Sequence, residues 1–398
     1  MGMSPRPDDG IGLRIRLHRE RLGRTQVVIA GLSGISADYL GQIERGRKTP
    51  SASVASAIAV ALGVPVGSLF GDEVRSEIGS EGARGEHLAS ALITRAGDPK
   101  PVDELARRID NAWAIWLNDR ERYSRLLPLL PGLIQDTEAA RRSFCYQRER
   151  RRISGLASDL YALLRTVTRR IGRSDLSFLV ADRALRAAED ADDPIRMAVA
   201  NWNIGHTLLL VEEYDAAVDL VETVSKRADF ESATAATAVA MTGALQLVAA
   251  VAESRNGRTW RARDRLNRAS ACAARSKGVR PTGHTMFGSV NVELHALSIE
   301  LEAGESTEAL RMADRVDIGR CHSVERRFTL SLDLARAYAL RREEAGTLLH
   351  LIEAERTAPE DFAHDSRARD MVRGLVRSSR RDTRTHAATL AARADISC

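Results

Sequence analysis

Apolar residues recur at three- and four-residue spacing through almost all of this 398-residue chain, and runs that alternate apolar with polar are absent. That period leaves one kind of solution, helices that bury one face against other helices. Composition agrees: aromatic residues are only 4 %, while alanine and arginine are abundant. The expected fold class is all-α, a small head at 1–71, a Gly- and Pro-marked linker at 72–101 with room for a short helix at 87–94, and a long helical body at 102–398. Turns are expected at Gly172, Asp192-Asp193-Pro194, Gly257, Gly278, Gly304 and Ala358-Pro359.

The formal charge of +5 is unevenly spread. Residues 1–71 hold nine Lys/Arg against five Asp/Glu, and the remainder holds fifty against forty-nine. A polyanion contact is therefore expected at the head rather than along the whole chain. Cys145, Cys272, Cys321 and Cys398 form no CxxC pair, and Cys321 beside His322 supplies too few ligands for a tetrahedral site. No disulfide framework, metal or cofactor is expected, and free thiols suit a reducing compartment. The first ten residues lack an apolar signal core, and 232–252, uncharged for 21 residues, has too few large aliphatics to span a membrane. A buried helix in a cytoplasmic protein, with no membrane partner, is the expectation.

In the head, Thr25 can cap a helix starting at Gln26, and Ala30 is small where two helices cross. Gly34 can take the left-handed turn position, and Ser36 can cap the next helix. On that helix Leu40 and Ile43 face the core, while Asp38, Gly41, Gln42 and Arg45 share the opposite face. Gly46 ends it, Pro50-Ser51 starts another, and Leu69-Phe70 closes the core.

These residues, from Thr25-Gln26 through Ile43-Glu44-Arg45-Gly46-Arg47-Lys48 to Ala61-Leu62-Gly63-Val64, resemble the lambda-repressor-like helix-turn-helix domain of xenobiotic-response-element-type bacterial regulators. The resemblance spans about residues 11–70 and implies that 37–45 enters the major groove of double-stranded DNA. By motif position Ala37, Asp38 and Gln42 face the bases: Gln42 toward adenine, the Ala37 methyl toward thymine, Asp38 toward a cytosine amine. Gln26 and the amide at the start of its helix contact phosphate, Ser36 belongs to the same DNA-facing set, Gly41 permits close approach or is tolerated drift, and Arg45, Arg47 and Lys48 clamp the backbone. His18, Arg24, Val27-Val28 and Gly41 depart from the family pattern, and Val27-Val28 suits packing against the body or a second head.

In the body, Ile204-Gly205, Tyr214, Ala217 and Val221 are similar to a tetratricopeptide repeat: a glycine for close approach, Tyr214 filling the gap, and Ala217 at the crossing. Fainter copies place Ala181, Ala262 and Ala309 at crossings, with another ending at Leu334-Ala335, Tyr338, Ala354 and Pro359. Head and body together resemble tetratricopeptide-bearing regulators of high-GC bacteria, and by architecture peptide-pheromone receptors. The resemblance implies a homodimer controlled by a small-molecule or peptide effector in a concave groove lined by the first helix of each pair. Those helices offer Arg196, Asn203, His206, Gln246, Asn291 and His295. Trp113, Trp116, Trp202 and Trp260 read as core. Arginine clusters at 141–152 and 367–384 read as solvated helix faces that leave DNA contact open. No phosphate-binding GxxxxGK[ST], HExxH or GxSxG pattern is present, and Glu293 and His295, two apart, point to different sides of a helix; no enzyme is expected. The competing reading is a tetratricopeptide interaction scaffold whose head is vestigial or binds protein.

Overall fold

The computed structural model describes residues 11–48, 50–64, 69, 87–143, 146–227, 235–276, 282–321 and 323–397. Phe70, 72–86, Cys145, Gly278, His322 and Cys398 lie outside the described residues. The described residues are helical with no strand, in two compact units, 1–83 and 84–398.

In the first unit α1 (Ile11–Arg21), α2 (Gln26–Leu32), α3 (Ala37–Glu44) and α4 (Ala52–Leu62) surround Ile15, Ile29, Leu40, Ile43, Ile58 and Leu69. The local grammar explains the boundaries. The side chains of Thr25, Ser36 and Ser51 accept hydrogen bonds from the amides of Val28, Tyr39 and Val54, capping α2, α3 and α4. Gly34 takes φ +67° in the reversal between α2 and α3. Gly12 was not foreseen: a Cβ there would stand 1.8 Å from the Ile43 carbonyl oxygen, so α1 can cross α3 only on a bare glycine.

The second unit opens earlier than the sequence suggests. Residues 87–93 are helical, and Leu88, Ala91 and Leu92 lie in its core, so the first described part of the expected linker is packed while most of 93–101 is exposed. Next, α5 (Val102–Asn118), α6 (Arg122–Leu126) and α7 (Leu130–Ser143) lead into helical hairpins. These are α8 (Gln147–Arg170) with α9 (Ser174–Ala191), α10 (Pro194–Leu210) with α11 (Tyr214–Arg227), and α12 (Ala235–Arg255) with α13 (Thr259–Arg275). Two more follow, α14 (Ser289–Glu302) with α15 (Ser306–Ala313) and α16 (Val324–Leu340) with α17 (Glu344–Thr357). Then come α18 (Pro359–His364), α19 (Ser366–Ser378) and α20 (Arg381–Arg393).

Ala181, Ala217, Ala262 and Ala309 are fully buried, as helix crossings require. Gly205, however, makes room for a different neighbour than expected. A Cβ there would meet Val248 of α12 at 2.8 Å, whereas Tyr214 packs beside Leu209 and Ala217. Asp192 in the left-handed region and Pro194 at the start of α10 make the expected turn. Residues 236–255 are long and apolar enough to cross a membrane by length and composition, but Met241, Ala244, Leu245, Leu247, Val248 and Ala249 of that stretch are core residues.

The first helices of successive hairpins touch one another, α8 to α10, α12, α14 and α16. Helix α16 also reaches α5, and α5 packs on α8, so this inner row closes on itself. Arg122 is paired with the Asp361 carboxylate, and Glu360 accepts from the amide of Tyr123 at 2.7 Å, fixing α6 to α18. Arg170 of α8 is ion-paired with Glu325 of α16.

Candidate nucleic-acid interface and inner face of the body

Helix α3 is amphipathic at very short range. Leu40 and Ile43 are fully buried, while Asp38, Arg45, Arg47 and Lys48 are exposed and Ala37 and Gln42 half-buried. Gln42 Nε2 donates to Asp38 Oδ2 at 2.7 Å. One amide hydrogen is thereby used, and the other hydrogen together with Oε1 is left for a bidentate partner. Asp38 thus orients Gln42 as well as offering its own carboxylate. Ser36 is exposed and its hydroxyl caps α3. Lys48 Nζ stands 5.3 Å from the Tyr39 ring centroid, which fixes its direction.

Two residues sit differently from expectation. Gly41 is buried, not open on the face shared with Asp38 and Gln42; a Cβ there would meet the Arg45 guanidinium at 3.1 Å and Gln26 Oε1 at 3.4 Å. Its role is to let Arg45 lie across α3. Gln26 donates from Nε2 to Glu44 Oε2 at 2.7 Å, and Arg19 grips the same carboxylate, Nε to Oε1 at 2.7 Å and Nη2 to Oε2 at 2.9 Å. Glu44 is buried, so a charged knot ties α1, α2 and α3 together and leaves Arg45, Arg47 and Lys48 without an acid at ion-pair distance among the described residues. The knot was missed in the sequence, although Arg19 and Glu44 were both visible there as rare charges at core-facing positions. Val27 and Leu32 of α2 are more than two-thirds exposed, and Leu22 half exposed.

The six polar residues expected in the groove divide. Arg196 is held by Asp159 and Asp193, at 2.9 and 2.6 Å, and lies over Gly155. Gln246 turns to the second-helix layer, where its Oε1 accepts from Arg265, itself paired with Glu222. Asn203, His206, Asn291 and His295 lie on the inner helices α10 and α14. Asn203 Oδ1 accepts from Arg165 Nε at 2.5 Å, and the Trp202 ring stands edge-on to His206 at 4.4 Å. His295 Nδ1 contacts the Asn291 carbonyl at 2.8 Å. Burial holds His206 well below the usual histidine range, helped by Arg165, Arg169 and Arg326, and burial with Arg326 pushes His295 down to about 4.

Trp113 and Trp116 are buried, and Trp202 packs between two core clusters. Trp260 departs from the core assignment, being 69 % exposed with Arg261 5.2 Å from its ring. In the cluster at 141–152, Arg141 pairs with Glu138 and Asp190, Arg151 with Asp192, and Arg152 with Asp103. No group of three or more metal-ligating side chains occurs among the described residues.

Residues 11–69 match the family model for a helix-turn-helix domain. The immunity repressor of Bacillus phage phi105 is 41 % identical over 63 residues, 16 % of this chain and 44 % of the repressor. The transcriptional regulator ClgR of Mycobacterium tuberculosis is 38 % identical over 81 residues, 20 % of this chain and 68 % of that regulator. Through this head the chain belongs to the helix-turn-helix transcriptional regulators. It spans less than half the length of the phage repressor, and the two matches take in only 16 % and 20 % of this chain. Among solved structures, PlcR of Bacillus thuringiensis in complex with the peptide PapR7 and DNA is 14 % identical, over 67 % of this chain and 95 % of that one, with a TM-score of 0.28. Aspartyl phosphate phosphatase F of Bacillus subtilis is 13 % identical, over 99 % and 95 %, with a TM-score of 0.36. Scores this low establish no common whole-chain arrangement.

Proposed function

We propose that the protein is a sequence-specific DNA-binding transcriptional regulator working inside the cell, with residues 1–71 as reader, 102–398 as sensor, and an effector bound in the body controlling the head. The observation that carries the reading is α3: a helix-turn-helix second helix whose buried side is Leu40 and Ile43 and whose other side presents the hydrogen-bonded Asp38–Gln42 pair beside three cations free of ion pairs among the described residues. In this proposal Ala37, Asp38 and Gln42 read base edges, and Arg45, Arg47 and Lys48 hold phosphates with Gln26 and the capped start of α3 near Ser36. Gly41 acts through Arg45. The body resembles a tetratricopeptide-type array in its stacked hairpins, and a homodimer would read two half-sites. The exposed Val27 and Leu32 favour a protein contact for the head, which suits that dimer and equally the scaffold reading.

The test is binding of the full-length protein to its own promoter region across a salt series. Arg45→Ala should weaken all DNA about equally and lower the salt slope by about one, whereas Gln42→Ala should cost about 1–3 kcal/mol on the best site and narrow the gap to random DNA. Salt-independent binding, or none, would leave the scaffold reading standing.

A further inference from the structure

The inner helices bring together arginines that lie far apart in the chain and gives them too few acids. Arg165 and Arg169 are one turn apart on α8, and Arg326 lies in the first turn of α16. With Arg170 they surround one carboxylate, Glu325, which Arg170 holds directly and Arg169 approaches at 3.7 Å. Arg165 is 3 % exposed; its Nε donates to Asn203, its guanidinium lies 5.2 Å from the Trp202 ring centroid, and its two terminal nitrogens have no hydrogen bond among the described residues. Arg169 Nε is buried without a hydrogen-bond partner. No carboxylate stands within ion-pair distance of Arg326 among the described residues, though that side chain is only half-exposed.

Burying like charges this way is costly, and the strain shows on Arg165, Arg169 and Arg326. Burial and then the neighbouring guanidinium push Arg165 down to about 9 and Arg169 to about 10, and burial also lowers Arg326. An arginine does not give up its proton at physiological pH, so the cluster keeps an excess of positive charge that a bound anion would offset. His206, half-buried beside it and kept neutral, can still donate from one ring nitrogen, whereas His295 spends its Nδ1–H on the Asn291 carbonyl and keeps only an accepting Nε2. Asn291 Oδ1, buried on the same helix face as His295, has no partner among the described residues.

We propose that this inner face binds the oxyanion group, carboxylate or phosphate, of a small effector, held by Arg165, Arg169 and Arg326. Forked guanidiniums match such groups in bidentate fashion, and Glu325 is left to Arg170. The site deepens the effector-controlled reading above and rests on it for its biological meaning, but not for its chemistry.

The probes are inorganic phosphate and citrate, each titrated into the full-length protein against sodium chloride of equal ionic strength, with thermal unfolding as readout. The expected result is a saturable rise in midpoint beyond the chloride control, and an apparent affinity about tenfold weaker in Arg326→Gln. Because Arg326 has no acid to lose, that variant should match or exceed the wild-type midpoint without anion, which separates a binding role from a structural one. Arg169→Gln serves as a second variant for the loss of anion affinity alone, since it also gives up its contact with Glu325 at 3.7 Å. Equal shifts in wild type and both variants, or none beyond chloride, would overturn the proposal. Promoter binding with and without the anion tells the two readings apart. Saturable, Arg326-dependent binding that leaves DNA affinity unchanged keeps the site and removes effector control. DNA affinity that answers to a host-cell extract while neither anion binds does the reverse.

Discussion

The two cation-rich regions of this chain resemble each other in sequence and are opposites in space. In the head, Arg45, Arg47 and Lys48 stand in solvent around an apolar core and cost the fold almost nothing. In the body, Arg165, Arg169 and Arg170 lie on α8 of the closed inner row and Arg122 on α6 packed against α5, where each charge must be matched or unfavourable. Exposed cations wait for a partner that water can replace; enclosed ones either have a partner or call for one. The pair Arg16–Glu20 on α1 and the pair Arg122–Asp361 between α6 and α18 make the contrast measurable.

The largest effect belongs to Arg122→Ala. The guanidinium is fully buried between Trp116 and Asp361, 4.2 Å from the indole ring. Removing it strands a buried carboxylate and should destabilise the body by about 3–5 kcal/mol in urea unfolding. Arg16→Ala, on a solvent-screened surface pair, should leave the unfolding midpoint within error of wild type. A small loss at Arg122 would mean that water reaches this closure and that the contrast with the head is false.

Next in size is a pH effect at Asp333 on α16. Burial raises its carboxyl to about 6, opposed by Arg367 and Arg336. A raised acid favours the folded state at low pH. The stability it contributes is complete below the unfolded value near 4 and is lost as pH rises through about 6, to the extent of roughly 3 kcal/mol. Asp333→Asn should therefore raise the unfolding midpoint at pH 8 and leave it nearly unchanged at pH 4. A uniform shift at both pH values would show that Asp333 acts through hydrogen bonding rather than charge.

The same contrast explains what could be read in advance. Helices α2 and α3 were legible because Thr25, Gly34 and Ser36 each satisfy a local need of the backbone, and such needs are written within four residues. Hairpin turns at Asp192-Pro194 and Gly257 were legible for the same reason. The inner arginine cluster was not. Arg165 and Arg169 show the four-residue spacing of one face, but Arg326 joins them only once α8, α10, α14 and α16 stack. Gln246 was placed on the wrong side because α12 is apolar nearly all round, so its sequence marks no groove face. The Glu44 knot was hidden behind a motif position read for DNA, Gln26, that also serves the fold.

The smallest effect is the sharpest test of the head, because it sets folding against function at one residue. Gly41 within α3 lacks the left-handed φ that would demand glycine, and alanine there should favour the helix by about 0.5–1 kcal/mol. The Cβ it adds meets only side-chain ends, Arg45 Nη1 at 3.1 Å and Nη2 at 3.3 Å and Gln26 Oε1 at 3.4 Å, and these can move aside. Gly41→Ala should then raise the head's unfolding midpoint slightly while weakening DNA binding, as Arg45 leaves its seat across the helix. A variant both firmer and fully active would assign the glycine to drift. One that loses stability would show that Arg45 and Gln26 are held to Gly41 more tightly than their place at the surface implies.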